Sequence, residues 1–231
     1  MKRSLPGTLI DMRKTLRDNG LLVANLGLFV IFLVAMSLAG AGAYNADQLE
    51  HHQAAVSFWH YLTTGAYVEA VFENWESEFL QMGSYVVLTA YLFQRGSSES
   101  KPIDAKAPQD ADPRDADLRT PVPWPVRKGG IVLRLYENSL ALFFFLLFFL
   151  SIWLHAVGGA RAYSEEQLAH GETAVSTWQY MMTSQFWFES FQNWQSEFLA
   201  VACIVGGSVY LRQRGSSESK PVAEPHKATG S

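Results

Sequence analysis

Two stretches of this chain carry no charged residue at all: 23 residues over 21–43 and 22 residues over 139–160. About 20 apolar residues in a helix cross the hydrocarbon of a bilayer. Inside lipid a helix satisfies every backbone hydrogen bond within its own segment. A soluble chain of 231 residues has room to bury one such helix, and two are hard to accommodate. The pattern predicts an all-α membrane protein. The overall 48% of hydrophobic residues hides this, because charged segments separate the apolar runs.

The chain is also written twice. A shift of 119 positions lays FENWESEFL (72–80) on FQNWQSEFL (191–199), and QRGSSESKP (94–102) on an identical copy at 213–221. Between 15–102 and 134–221 there are 37 identities in 88 positions without a gap. Each copy reads as a basic lead, a long apolar helix, an outward segment, a second apolar helix and a polar tail. Four transmembrane helices in two tandem two-helix repeats follow. The expected divisions are a basic interfacial lead (1–20), repeat one (21–95), a flexible linker rich in proline and charge (96–130), repeat two (131–214) and a tail (215–231). Ala41-Gly42-Ala43 looks like a signal-peptidase site. The long apolar run and the equivalent mid-chain helix in the second copy argue against cleavage.

Lysine and arginine set the orientation. Residues 1–20 hold five, 94–138 hold eight and 212–231 hold four, whereas 44–78 hold none and 161–197 only Arg161. By the positive-inside rule both termini and the linker are cytoplasmic. Each copy crosses an even number of times, so the copies share one orientation about an axis along the membrane normal.

The outward segments carry the candidate site. Asn45 and Ser164 each precede a Gln by three residues, the capping-box spacing, and predict amphipathic helices running to about Thr64 and Thr183. Gln48, His51, Ala55 and Trp59 would then share a face, repeated by Gln167, His170, Ala174 and Trp178. A second helix should begin near Gly65 or Ser184 and run unbroken into the next crossing. The uncharged parts of those crossings, 79–93 and 198–211, span only roughly 22 Å at 1.5 Å per residue. The helices must extend backwards, bringing Trp75, Glu78, Trp194 and Glu197 to the membrane edge. Asn74 and Glu78 are i,i+4 partners, as are Asn193 and Glu197. A carboxylate at that depth is costly unless paired or hydrated, which makes Glu78 and Glu197 candidates for an outer cation or proton site or for structural helix-entry groups. Glu73 and Glu76 become Gln192 and Gln195 in the second copy.

His51 and His170 recur, but no paired-histidine or Glu-x-x-His spacing accompanies them in both copies, and His52 and His60 become Gly171 and Gln179. No metal site and no cofactor is expected. His155, near the outer end of the third crossing, reads as a packed or interfacial residue. Small residues at 202 and 206–208 read as a helix-packing face. The lone Cys203 excludes an intrachain disulfide. Phosphate-binding glycine loops, nucleophile elbows and haem motifs are all missing. The acidic outward segments and linker argue against nucleic acid.

Arg17-Asp-Asn-Gly-Leu, Ser37-Leu-Ala-Gly, the 72–83 stretch with its NWxSEFL core, and the GSxESKP turn together resemble an uncharacterised tandem-repeat family of bacterial membrane proteins, a domain of unknown function. The resemblance implies a bacterial inner-membrane location and four crossings, and brings no activity, substrate or catalytic residue. The crossings themselves are poor in polar residues, which favours a non-enzymatic structural or accessory subunit. Such a subunit would pack against a membrane partner or itself, with the lipid bilayer as its solvent. The alternative is a small ion or proton channel or transporter with Glu78 and Glu197 at an outer vestibule.

Overall fold

The computed structural model describes residues 7–230 and is all-α, with no strand among the described residues. The long helices are α1 (Gly7–Glu50), α3 (Gly65–Tyr91), α6 (Ser139–Ala169) and α8 (Ser184–Tyr210). Short helices α2 (Phe58–Tyr61), α4 (Trp124–Lys128), α5 (Gly130–Glu137) and α7 (Thr177–Met181) lie between them. Two helical stretches are long and apolar enough to cross a membrane, Leu16–Glu50 and Ser139–Ala169. Contacts divide the chain into two compact units, Met1–Tyr67 and Val68–Ser231. Of the basic lead expected over 1–20, residues 1–6 lie outside the described residues; the remainder forms the start of α1. Asn19, with φ −129° and ψ 18°, interrupts the helical geometry where that lead meets the apolar run.

In the first unit, α1 continues past the apolar run through Tyr44 and Asn45 to Glu50. This corrects the expected helix start at Asn45. Nothing between 40 and 50 breaks a helix, and Asn45 is used differently. Its amide accepts from Val56 N at 2.7 Å and donates to Val56 O at 3.0 Å, pinning the returning chain to α1. The amphipathic helix expected over 45–64 is therefore only α2, capped by Ser57, and Gln48, His51, Ala55 and Trp59 do not share a helix. Tyr61 is buried against Gly40, and Ser37 Oγ lies 3.0 Å from Tyr67 Oη.

The second unit repeats these devices 119 positions on. Ser164 Oγ bonds both Val175 N (3.0 Å) and Val175 O (3.2 Å), and Ser176 caps α7 in a full capping box with Gln179. Tyr180 is fully buried over Gly159, whose missing Cβ leaves room for the ring. Ala156, Ala160, Tyr180 and Phe186 form the core of this unit. Both long helices end in the same Schellman turn. Gln53 N donates to Gln48 O (2.7 Å) and His52 N to Leu49 O (3.1 Å); Glu172 N donates to Gln167 O (2.8 Å) and Gly171 N to Leu168 O (3.1 Å). That turn needs a left-handed residue, and φ is +58° at His52 and +79° at Gly171. The His-to-Gly difference between the copies is thus a backbone matter.

α3 and α8 start at the expected breaks and run on without interruption for 27 residues each. Gly83 of α3 lies against Phe144 and Phe145 of α6. The packing face expected at residues 202 and 206–208 is not used as such. A Cβ at Gly206 would meet nothing within 4 Å, and Ser208 instead bonds Ser97 Oγ at 2.8 Å.

The linker expected to be free over 96–130 is pinned at its start. Ser97 is fully buried, Gly96 N donates to Thr229 Oγ1 (2.9 Å), and Ser98 Oγ donates to Glu218 O (2.9 Å). Glu99 accepts from Tyr85 Oη at 3.0 Å, and burial followed by the charge of Glu218 raises its carboxyl above the usual range. The tail is equally fixed. Lys220, 1% exposed, donates to the carbonyls of His226 (3.0 Å) and Ala228 (2.9 Å). Between the linker and α6, Gly129 and Gly130, both with positive φ, divide the chain into α4 and α5.

This packing and backbone geometry set the expected cost of three substitutions. Gly159→Ala drives a methyl group into the Tyr180 ring, 2.6 Å from its hydroxyl oxygen, and should cost about 1–3 kcal/mol. Gly206→Ala, in open space, should cost no more than a few tenths. His52→Gly should stabilise by about 1 kcal/mol, because it removes a side chain from left-handed backbone. Thermal unfolding in detergent micelles checks all three, and equal midpoints for the two alanine variants would contradict the Tyr180 packing.

Candidate functional site

The second unit buries a run of ionisable side chains contributed by α3, α6, α7 and α8. On α3, Glu69, Glu73 and Glu76 stand at i, i+4 and i+7 and so occupy one face. On α8, Phe186, Glu189, Ser190, Asn193 and Trp194 stand at i, i+3, i+4, i+7 and i+8 and likewise form a stripe. His155 comes from the apolar helix α6, and Tyr180 from α7.

His155 is at the centre. It is fully buried, with Nδ1 3.0 Å from Glu76 Oε2 and Nε2 3.3 Å from Glu189 Oε2. The Phe186 ring stacks on it with centroids 4.9 Å apart. Glu76 is fully buried too, and its other oxygen accepts from Trp194 Nε1 at 3.2 Å. Glu189 is held from the far side by Gln185 Nε2 at 2.6 Å. Tyr180 Oη lies 2.9 Å from Glu69 Oε1 and also bonds Glu189 Oε2. Glu73 stands within electrostatic reach of His155 and Glu189.

The chain of contacts is thus Glu76, His155, Glu189, Tyr180, Glu69, joined by four hydrogen bonds. Each bond needs one proton. An imidazolium supplies two and a phenol one, while ionised carboxylates only accept. Three protons serve four contacts only where the phenol proton is shared between Glu69 and Glu189. A proton on one carboxyl, with Glu69 at the end of the run, or a cation on the remaining carboxylate lone pairs gives every contact its own partner. The network therefore has room for one positive charge beyond those on its own bases.

A metal is one way to supply it. A ligand atom from each of Glu69, His155 and Glu189 lies within 4.8 Å of the others. This set was missed in the sequence because its members come from helices far apart in the chain and each occurs in only one of the two copies. Met36 stands where the second copy has His155, Ala70 matches Glu189, and Phe188 and Gln195 match Glu69 and Glu76. The face shared by Glu69, Glu73 and Glu76 was readable from spacing alone.

Of the boundary residues singled out in the sequence, Trp194 bonds Glu76 and Asn193 bonds the neighbouring Glu73. Asn74 and Asn193 bond back to helix carbonyls, of Ala70 (2.8 Å) and Glu189 (3.3 Å). Trp75 packs edge-on against Phe72 and Phe79. His51 Nδ1 lies 3.0 Å from Asp47 O, and His170 Nδ1 lies 2.9 Å from Glu166 O, at the ends of α1 and α6. Glu78 is exposed and feels the charge of the half-buried Glu197. His155, read as a packed or interfacial residue, is buried and lies against two carboxylates.

The family model described as a domain of unknown function, DUF6766, matches residues 12–231. No curated protein and no solved structure matches the chain.

Removing one partner of a buried ion pair leaves the other uncompensated, at a cost of about 3–5 kcal/mol. His155→Leu should destabilise the protein by that amount. In a Glu76→Gln, Glu189→Gln background the same change should cost far less. Unfolding in detergent measures this cycle, and an equal cost in both backgrounds would show that the histidine is not paired.

Proposed function

The chain belongs to the DUF6766 family, and we propose that it is a non-enzymatic integral membrane protein that binds a cation in the network around His155 and passes it across the bilayer. The observation that carries this reading is the run of three carboxylates, Glu76, Glu189 and Glu69, gathered around one imidazole and one phenol, His155 and Tyr180. Ionisable groups buried beside a membrane-spanning helix are costly, and they mark ion or proton pathways. Packing alone does not call for them, since apolar residues of similar volume usually stabilise as well or better than a buried pair. The geometry thus favours the ion-handling alternative over a purely accessory role, and moves its centre from Glu78 and Glu197 to His155.

The architecture that goes with this reading is a duplicated two-helix unit with four crossings. Each of α3 and α8 spans roughly 40 Å at 1.5 Å per residue, enough to begin outside the hydrocarbon and then cross it. The basic ends and linker lie on the cytoplasmic face of a bacterial inner membrane. Exposed Phe143, Leu146 and Phe149 of α6 then meet lipid chains or a neighbouring membrane protein. The network sits towards the outer side, with the acidic outward segments raising the local cation concentration.

Purified protein in liposomes tests the reading. One set carries an internal pH dye and others carry dyes for Na⁺, K⁺ and Zn²⁺. At least one of these cations should enter faster than in protein-free liposomes. Glu69→Gln, which keeps the shape and neutrality of a protonated carboxyl, should fold normally and cut that entry at least tenfold. Glu78→Gln with Glu197→Gln should leave most of it. Entry no faster than in empty liposomes for all four cations, or entry untouched by Glu69→Gln, would overturn the proposal.

A further inference from the structure

We propose that the cation is a divalent first-row transition-metal ion, bound by His155 Nε2 and by carboxylate oxygens of Glu69 and Glu189. This deepens the cation reading and uses the same residues, but it concerns binding and does not depend on transport.

The arrangement around His155 is what separates a metal ligand from an ordinary buried histidine. A metal-binding histidine almost always gives its second ring N–H to a carboxylate or carbonyl, which fixes its tautomer and orientation. Here that partner is Glu76, 3.0 Å from Nδ1, fully buried, and itself oriented by Trp194 Nε1 at 3.2 Å. Nε2 is left facing Glu189, whose Oε2 is 3.3 Å away. Two ligands on one ion at about 2.0–2.2 Å are roughly 3.0–3.6 Å apart, so this pair already stands at ligand spacing. Glu69 completes the set within 4.8 Å and needs a shift of roughly 1 Å, within reach of its side-chain torsions. Gln185 holds the other oxygen of Glu189 at 2.6 Å, steadying the second ligand.

A separate observation points to a bound group. Ser190 is fully buried, and its Oγ has no hydrogen-bond partner. It stands one turn from both Phe186, which stacks on His155, and Trp194, which bonds Glu76, on the same stripe of α8. A water on the ion's open coordination position would give that hydroxyl its partner.

The donor set selects the class of ion. One imidazole and two carboxylates suit Zn²⁺, Fe²⁺ or Mn²⁺, whereas Mg²⁺ and Ca²⁺ prefer all-oxygen sites with more ligands. Three protein ligands and an open position fit an ion that exchanges, since structural zinc sites close with four. The ion also supplies the additional positive charge, so Glu69 and Glu189 are both ionised beside it.

The test is equilibrium binding of Zn²⁺ to the full-length protein in lipid nanodiscs, read by calorimetry after chelator treatment, with Mg²⁺ as comparison. One Zn²⁺ per chain should bind, and Mg²⁺ at the same concentration should not. Glu69→Gln and His155→Gln should each weaken Zn²⁺ at least tenfold, with size-exclusion profiles confirming that they fold. Glu76→Gln should weaken it as well, by about 10–100-fold, as loss of a histidine-orienting partner does. Glu78→Gln with Glu197→Gln should leave the affinity unchanged. No Zn²⁺ binding, or binding indifferent to Glu69→Gln and His155→Gln, would overturn the metal assignment. Zinc binding without any cation flux would uphold it while overturning transport, and proton flux without zinc binding would do the reverse.

Discussion

A histidine held between two carboxylates, inside a helix apolar enough to cross a membrane, is the interaction on which the second half of this protein turns. Moving a charged group from water into such surroundings costs several kcal/mol even after relaxation. The surrounding structure offsets this in a connected way. Trp194 and Gln185 satisfy the outer oxygens of Glu76 and Glu189, and Phe186 covers the imidazole face. Tyr180 reaches Glu69 and Glu189 because its ring lies directly on Gly159, with no Cβ between them. A glycine in an apolar helix, which alone suggests close packing, here sets how near a phenol approaches a buried acid.

The two copies read in the sequence divide the work unevenly. Shared positions make shared local structure: tyrosine over glycine, a polar side chain clasping the returning strand, a serine cap, and a Schellman turn. The charged network uses positions where the copies differ. The first copy has Met36 and Ala70 where the second has His155 and Glu189; the second has Phe188 and Gln195 where the first has Glu69 and Glu76. The first copy contributes Glu69 and Glu76, and the second His155, Tyr180 and Glu189.

This division also explains how far the sequence could be read. Uncharged runs, basic residues and the 119-residue offset are local or periodic signals, and from them came the long helices and the breaks at Gly65 and Ser184. Glu78 and Glu197 drew attention because they recur, while Glu76, two residues before Glu78, is the buried acid and is Gln195 in the second copy. The helix expected from Asn45 rested on a capping spacing that the unbroken α1 overrides, since capping decides a helix start only where the preceding residues leave the helix. Pairing across 79 residues, as between Glu76 and His155, leaves no local trace. The burial of Ser97 was hidden for the same reason, because its partner Ser208 lies 111 residues further on.

The most direct test of the central claim is infrared difference spectroscopy on the metal-free protein in lipid at neutral pH, with Glu69→Gln as reference. If the network holds one positive charge more than His155 supplies, a protonated carboxylic acid should be present in the wild type. Its carbonyl band should be missing from the variant. A wild-type spectrum with every glutamate ionised, and no such band lost on substitution, would contradict the account.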